Sequence, residues 1–249
     1  KPSVNGSDLM GTNRNVWIID FGVMPIGQAA MYEMPFEYIK EYVYPERQKN
    51  NRESYARKWW QHGEARPGMR KALENLSRFI ATSRVSRHRV FVWLAKPALP
   101  DHKLCVIARS DDYFIGILQS KPHVIWSLKT GARHGVGNDP VYNVGDSFET
   151  FPFPWPPGCE PVDDPRVKVI AQAAKELIEM RDRWLNAENL SEIERKKRTL
   201  TNLYNVRPTW LDLAHKKLDA AVFVAYDWAE TISDEQILEN LLKLNLERS

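Results

Sequence analysis

The sequence predicts an α+β protein in which a small mixed or antiparallel sheet with flanking helices precedes an all-α helical domain. Between residues 78 and 126, short runs of β-branched and aromatic residues alternate with turn residues, which is typical of short strands in one sheet. After residue 165, apolar residues recur every three or four positions, which is typical of amphipathic helices. The proline-rich and aromatic segment 148–158 separates these regions, and its prolines exclude both a helix and a central strand. We therefore predict a first domain over residues 1–158 and a helical C-terminal domain over residues 159–249.

The first domain begins with a predicted strand at residues 16–21, where apolar and aromatic residues dominate. Residues 34–60 have helical spacing. We expect their paired Trp59 and Trp60 to be core residues, with stacking on a nucleic-acid base as the alternative. A short helix or a turn follows at residues 67–76. The predicted strands of the sheet come next, at residues 79–82, 90–94, 104–108 and 114–118.

The helical domain carries clear local signals for where its helices begin. Asp164 precedes Pro165, and proline is favoured at the first position of a helix. One apolar stripe then runs to Trp184. Ser233 and Gln236 have the spacing of a capping box. Further helices are predicted at residues 200–204, 210–228 and 234–246.

Charge is distributed unevenly along the chain. The formal net charge is only +3, but residues 1–158 contain 21 Lys and Arg against 15 Asp and Glu, whereas residues 159–249 contain 14 against 17. The cationic surface is therefore expected on the first domain. The two cysteines, Cys105 and Cys159, are too few for a disulfide framework, and no apolar run is long enough for a membrane span. Without a signal peptide, a reducing cytoplasmic setting is expected.

The segment 78–93 is the most informative in the chain. It predicts a strand, a basic turn and a second strand, with four arginines and a histidine within twelve residues. A two-stranded ribbon with a guanidinium-rich end can enter a DNA major groove, where arginine reads guanine through two hydrogen bonds. The alternative interpretation is a surface hairpin whose charges are only solvated.

Three stretches in this order resemble the C-terminal part of the type IIL (MmeI-like) restriction–modification enzymes and related adenine-specific DNA methyltransferases. They are the segment 78–93, the Phe-Pro-rich segment 147–154, and the helical stretch 197–211 with the later residues 218–222 and 241–248. The resemblance covers nearly the whole chain. It implies a target-recognition domain followed by a helical domain, with double-stranded DNA as the partner.

The resemblance also implies roles for residues at the basic turn. Arg87, His88 and Arg89 become candidates for reading bases, and Arg84 becomes a candidate for holding a phosphate. Many protein–DNA contacts go to phosphates and carry no sequence information. A solvated charge or a structural ion pair is the alternative for each of these residues.

The glycine-rich loop at residues 131–145 supplies further candidates. Lys121, Arg133 and His134 lie near it or within it and are candidate phosphate contacts, with an ordinary polar loop as the alternative. Asn138 and Asp139 are expected to cap the loop rather than to read a base. The histidines have no spacing that predicts a metal site.

Enzymes of the resembled kind carry an Asn/Asp-Pro-Pro-Tyr/Phe catalytic loop and a glycine-containing cofactor loop. Neither occurs in this sequence, where Trp155 and Gly158 flank the Pro156-Pro157 pair. Asp111-Asp112 predicts a turn rather than a nuclease site. We therefore expect this chain to bind DNA without chemistry of its own. An upstream catalytic domain of the same polypeptide would bind S-adenosylmethionine and methylate a flipped adenine. The alternative function is a protein-interaction module that holds a larger complex together.

Overall fold

The computed structural model describes residues 1–136 and 138–248, so Gly137 of the glycine-rich loop lies outside the described residues. The strands are β1 (Ser3–Val4), β2 (Arg78–Ser83), β3 (Phe91–Ala95), β4 (Leu99–Pro100), β5 (Leu104–Ile107), β6 (Arg133–His134) and β7 (Asp139–Pro140). The α-helices are α1 (Gly6–Met10), α2 (Ile26–Ala29), α3 (Glu33–Tyr42), α4 (Tyr44–Gln48), α5 (Glu53–Arg57), α6 (Pro67–Ala72), α7 (Asp112–Gln119), α8 (Lys121–Thr130), α9 (Pro165–Leu185), α10 (Glu192–Lys197), α11 (Leu200–Val206), α12 (Thr209–Ala225) and α13 (Asp234–Arg248), with a π-helix at Val144–Phe148.

The central sheet has three antiparallel strands in the order β3-β2-β5. In the β2–β3 pair, Arg78 faces Ala95 and Thr82 faces Phe91, so residues 84–90 connect the two strands. This arrangement confirms the predicted strand–turn–strand unit. Strand β2 is central and almost fully buried, which its apolar run requires.

The predicted strand at residues 114–118 is wrong, because these residues belong to helix α7. The Asp111 side chain caps this helix by accepting a hydrogen bond from the Phe114 N–H at 2.9 Å. Every residue from Tyr113 to Gln119 is buried. A short run that is apolar on all sides fits a buried helix as well as a strand, and the cap decides between them.

The N-terminal region also differs from its prediction. Residues 16–21 do not form a strand, and Trp17 only makes an isolated bridge with Pro2. Trp17 is 71% exposed, whereas Phe21 at the end of this segment is buried in a small apolar cluster. The predicted helical stretch 34–60 is divided into α3, α4 and α5. Trp59 belongs to a small separate apolar cluster with Phe36, as expected for a core residue.

The main core joins the sheet to the helical region. Helix α9 packs on α7 and α12, and Gly116 lies at the first contact. A Cβ at Gly116 would lie 2.9 Å from Ile170 Cγ2 and 3.0 Å from Ala174 Cβ, so only glycine allows this approach without displacement. The core contains residues from both sides of residue 158. The division into domains at that point therefore stays a proposal about the organisation of the sequence.

The proline-rich segment is irregular, as predicted, and the last two helices hold its carbonyl groups. Tyr226 Oη donates to the Pro152 carbonyl at 2.8 Å, and Asn245 Nδ2 donates to the Thr150 carbonyl at 2.7 Å.

The predicted starts of two helices in the C-terminal region are confirmed. Asp164 caps α9, with Pro165 as the first helical residue. Ser233 and Gln236 form the expected capping box, with contacts of 3.0 and 3.3 Å.

Candidate nucleic-acid interface

The basic turn, residues 84–90, is anchored to two neighbouring segments. The Arg84 N–H donates to the Lys103 carbonyl at 2.8 Å, and the Arg84 carbonyl accepts from the Tyr142 N–H at 2.7 Å. Within the turn, the hydroxyl groups of Ser83 and Ser86 donate to main-chain carbonyls two residues further along, each at 2.8 Å. These bonds fix the backbone, so the directions of the turn's side chains are set by the fold.

The turn forms one wall of a concave surface of about 620 Å³, here called the basic groove. Arg84 and Arg87 are exposed and line this groove together with His134 from β6. His102 and Lys103, from the turn before β5, also line the groove, as does Asp139 of β7. Helix α1 supplies the opposite wall. The structure thus brings together three of the seven residues that the sequence analysis selected.

The cationic surface continues beyond the groove. Arg84 and His102 also line two adjoining clefts of about 340 and 590 Å³, both of which include Arg66. The larger cleft contains Tyr55, whose ring lies 4.8 Å from the guanidinium carbon of Arg47. An aromatic ring with adjacent guanidinium groups in a cationic cleft is suited to a nucleic-acid strand.

Three residues of these surfaces, Arg66, His102 and Lys103, were not predicted from the sequence. Arg66 has a left-handed backbone conformation, with φ of 48°, at the start of α6, where no local pattern predicted a site. His102 and Lys103 follow Asp101 in the tight connection between β4 and β5, and the Lys103 N–H donates to Asp101 Oδ1 at 2.7 Å. The signal that could have found His102 and Lys103 is their position as two basic residues in a turn directly before the predicted strand at residues 104–108.

Arg89 does not lie in the groove, which corrects its selection as a base-reading residue. It is only 5% exposed, and its guanidinium donates to Thr82 Oγ1 at 3.0 Å, to the Pro140 carbonyl at 3.3 Å and to the Ser83 carbonyl. Burial lowers the pKa of Arg89 to about 10, which leaves it charged at neutral pH. The hydrogen bonds of Arg89 stabilise the basic turn from its buried side, because the groups that accept them lie beside the turn.

His88 is half-buried at the end of the turn. Its Nε2 lies 2.7 Å from Asn205 Oδ1 of α11, and its ring packs against that of Tyr204 with centroids 5.9 Å apart. One ring nitrogen is therefore committed to the helical region. Of the base-reading candidates, Arg87 lines the basic groove and His88 does not.

Lys121 is the first residue of α8, a helix of ten residues that is about 15 Å long. Arg133 lies beyond the other end of this helix, in β6. Lys121 forms an ion pair with Asp234, and its N–H donates to Asp219 Oδ1 at 2.7 Å. This pairing places Lys121 among the last helices rather than with the groove residues. Arg133 is exposed beside His134 at the rim, where it contacts the Asn138 carbonyl at 3.4 Å.

Comparisons with known proteins place this geometry in a context. No family model matches the chain. DNA methyltransferase A of Bacillus subtilis (strain 168) is 33% identical over 141 residues, which are 56% of this chain and 14% of that protein. The solved structure of the type IIL restriction–modification enzyme MmeI in complex with DNA matches 99% of this chain, with a TM-score of 0.73 and 18% identity.

The chain has the fold of part of a type IIL restriction–modification enzyme. The resemblance inferred from the sequence is thus confirmed at the level of the fold. The chain spans 30% of the MmeI chain and a smaller share of the methyltransferase. In residues 1–136 and 138–248, none of the helices combines the length and the apolar character that crossing a membrane requires.

Proposed function

We propose that this chain is the sequence-specific DNA-binding part of an S-adenosylmethionine-dependent adenine-N6 DNA methyltransferase of the type IIL kind. The observation that carries the proposal is the basic groove on a fold shared with a DNA-bound enzyme. Exposed Arg84, Arg87 and Lys103 lie on one concave surface although the chain as a whole is only slightly basic. Such a concentration of cations is the electrostatic footprint of a DNA-binding face.

The residues have different roles in this proposal. Arg87, which is exposed and lines the groove, reads a base edge, and His88 is its neighbour in the turn. Arg84 and Lys103 line the groove and contact phosphates, and Arg133 and His134 of β6 extend these contacts. Arg89 supports the turn, and Lys121 joins α8 to α13.

The cofactor belongs to another part of the parent polypeptide. The flanking residues of the Pro156-Pro157 pair do not suit cofactor or adenine binding, because the Trp155 ring packs against Tyr113 and lies 5.0 Å from the Arg166 guanidinium carbon. We assign S-adenosylmethionine, which supplies the methyl group, to an upstream catalytic domain. The restriction–modification or phage-defence setting is cytoplasmic, where unpaired Cys105 and Cys159 remain reduced.

A selection experiment tests the proposal. The chain is titrated against a pool of random duplex DNA at two salt concentrations, and the retained DNA is sequenced. Affinity is expected to fall steeply with salt, because each neutralised phosphate contributes a slope of about −0.9 in a double-logarithmic plot. An enriched short motif is expected among the retained sequences.

A matched pair of variants locates the binding surface. The double variant Arg84→Gln/Lys103→Gln removes two charges from the groove. The control, Lys175→Gln/Lys216→Gln, removes two exposed charges from α9 and α12, where each lysine pairs with a carboxylate on its own helix. Only the groove variant is expected to lose affinity. An equal loss in both would place the binding elsewhere.

The alternative function, a protein-interaction module, is favoured by one observation. Met34, Tyr38 and Tyr42 form a stripe along α3, at 87%, 57% and 59% exposure. An exposed apolar stripe with a spacing of four residues suits an interface with another protein. This function would be favoured over the first if the chain retained no DNA at low salt and bound a protein partner with an affinity that depends only weakly on salt.

A further inference from the structure

A buried arginine connects the helical region to the basic turn. Arg181 on α9 is 2% exposed. Its guanidinium donates to the Phe91 carbonyl at 2.9 Å, to Gln119 Oε1 at 3.1 Å and to Tyr204 Oη at 3.3 Å. All three acceptors are neutral. Within the described part of the chain, Arg181 forms no salt bridge with a carboxylate.

The contacts of Arg181 converge on the end of the basic turn. Gln119 Oε1 also accepts from the Phe91 N–H at 2.8 Å, and Gln119 Nε2 donates to the Arg89 carbonyl at 3.4 Å. The side-chain amide of Gln119 and the guanidinium of Arg181 thus both contribute to holding the main chain from Arg89 to Phe91. Neither group comes from the sheet itself, since Gln119 ends α7 and Arg181 lies on α9.

The same network continues to two further helices. Tyr204 Oη, which accepts from Arg181, also lies 3.0 Å from His215 Nε2 on α12. The residue after Tyr204 is Asn205, whose side chain contacts His88. Helices α9 and α11 thus contact the outgoing arm of the turn through polar groups, and α12 reaches it only through Tyr204. The sheet also holds this arm, because Thr82 Oγ1 of β2 donates to the Val90 carbonyl at 2.8 Å.

We propose that Arg181 is a positioning residue through which the helical region sets the orientation of the base-reading turn. This role rests on the proposed function and adds a determinant of base selection that does not touch DNA. Burial of a cation without a carboxylate is unfavourable, and apolar residues of similar volume are often at least as stabilising. A guanidinium here supplies what they cannot, namely directed hydrogen bonds that fix Phe91 and, through Gln119, Arg89.

Hydrogen exchange in the 249-residue chain tests the positioning directly. Arg181→Met keeps much of the side-chain volume and removes the hydrogen bonds. Amides at residues 88–91 are expected to exchange about tenfold faster. The reason is that the loss of one hydrogen bond to a charged group lowers the free energy of local opening by an amount that corresponds to about this factor. Amides of the β2–β5 pair are expected to keep their rates. Arg183→Met on the exposed face of the same helix is the matched control.

A milder variant keeps the test decisive if Arg181→Met does not fold. Tyr204→Phe removes only the hydroxyl group that accepts from Arg181 and contacts His215. It is expected to accelerate exchange at residues 88–91 by a smaller factor. If neither a folded Arg181→Met nor Tyr204→Phe exceeds the Arg183→Met control, the proposal is overturned.

DNA binding separates positioning from general stabilisation. For Arg181→Met, the ratio of Kd values between single-base variants of the selected motif and the motif itself is expected to fall about tenfold, by the same hydrogen-bond magnitude. The salt slope is expected to stay unchanged, because no phosphate contact is lost. A uniform loss of affinity for all sequences would indicate a merely structural role and overturn the proposal.

Failure of the proposed function would be visible separately. A wild-type chain that shows no sequence preference would overturn DNA reading, and with it the role in base selection. Hydrogen exchange at residues 88–91 would still decide whether Arg181 holds the turn, since that measurement needs no DNA.

Discussion

His88 and Asn205 lie 117 residues apart in the sequence, and a contact of 2.7 Å between His88 Nε2 and Asn205 Oδ1 joins the basic turn to helix α11. This contact ties the residue beside the proposed base reader to the helical region. It also explains why His88 is half-buried although its neighbour Arg87 is exposed.

Coupling between these two residues can be measured in a double-mutant cycle. His88→Ala and Asn205→Ala are each expected to lower the free energy of unfolding, with a coupling of about 0.5–1.5 kcal/mol, the usual net value of a hydrogen bond. Chemical denaturation of the two single variants and the double variant provides the measurement. Additive effects would contradict the contact.

Arg87 and Arg84 are expected to differ in the kind of affinity they contribute. Arg87→Gln should cost about 1–3 kcal/mol for the selected motif and relax the preference at one base position. Arg84→Gln should weaken binding to all sequences alike and reduce the salt slope by about one unit. Competition binding with single-base variants at several salt concentrations distinguishes the two. An unchanged sequence preference in Arg87→Gln would remove Arg87 from base reading.

Replacement of Arg89 tests its reassignment from DNA to the interior. Arg89→Met leaves the Ser83 and Pro140 carbonyls without this donor, which should lower the free energy of unfolding by about 1–3 kcal/mol. The salt slope of DNA binding should not change, because the guanidinium is buried away from phosphates. A variant of full stability with altered base preference would restore Arg89 as a base reader.

The contact between α7 and α9 depends on the absence of a side chain at Gly116. Gly116→Ala should destabilise the protein by about 1–3 kcal/mol, because the added methyl group would meet Ile170 and Ala174 at about 3 Å. Gly68→Ala is the matched control, since a Cβ at this helical glycine meets no atom within 4 Å. Thermal and chemical unfolding of both variants checks the prediction. Equal stability of the two would contradict the close packing at Gly116.

The protein is expected to lose free energy of unfolding in acid, because two of its histidines are buried. Burial lowers the pKa of both His123 and His215 to about 3, so the folded state keeps them neutral where the unfolded chain binds protons. Stability should therefore fall as pH drops below about 6.5, by up to about 1.4 kcal/mol per pH unit for each histidine. Asp219 opposes this change, because burial raises its pKa to about 6 and favours the protonated folded state between about pH 4 and 6.

The measurement is denaturant unfolding between pH 4 and 7. His123→Gln should remove about half of the loss, because one of the two histidines that resist protonation is then absent. Asp219→Asn should steepen the loss, because the opposing carboxyl group no longer titrates. An identical pH profile for wild type and His123→Gln would show that His123 is not held neutral.

Short-range signals in the sequence determined the features that depend on neighbouring residues. The start of α9 at Asp164-Pro165 and the capping box of Ser233 and Gln236 each involve residues at most three positions apart. The strand–turn–strand unit at residues 78–95 follows from its own β-formers and turn residues. These interactions join residues that are close in the sequence, so they do not depend on long-range packing. They were therefore predicted correctly.

The tertiary structure alone decided which of the basic residues face a partner. Arg87 and Arg89 are two positions apart and chemically identical, yet one is exposed and the other is held inside by carbonyl groups from two segments. Lys103 lines the groove because β5 pairs with β2. Lys121 lies outside the groove, because its position at the start of α8 brings it to Asp234 of α13. Exposure and convergence are sums over contacts between distant segments, and no local spacing in the sequence encodes them.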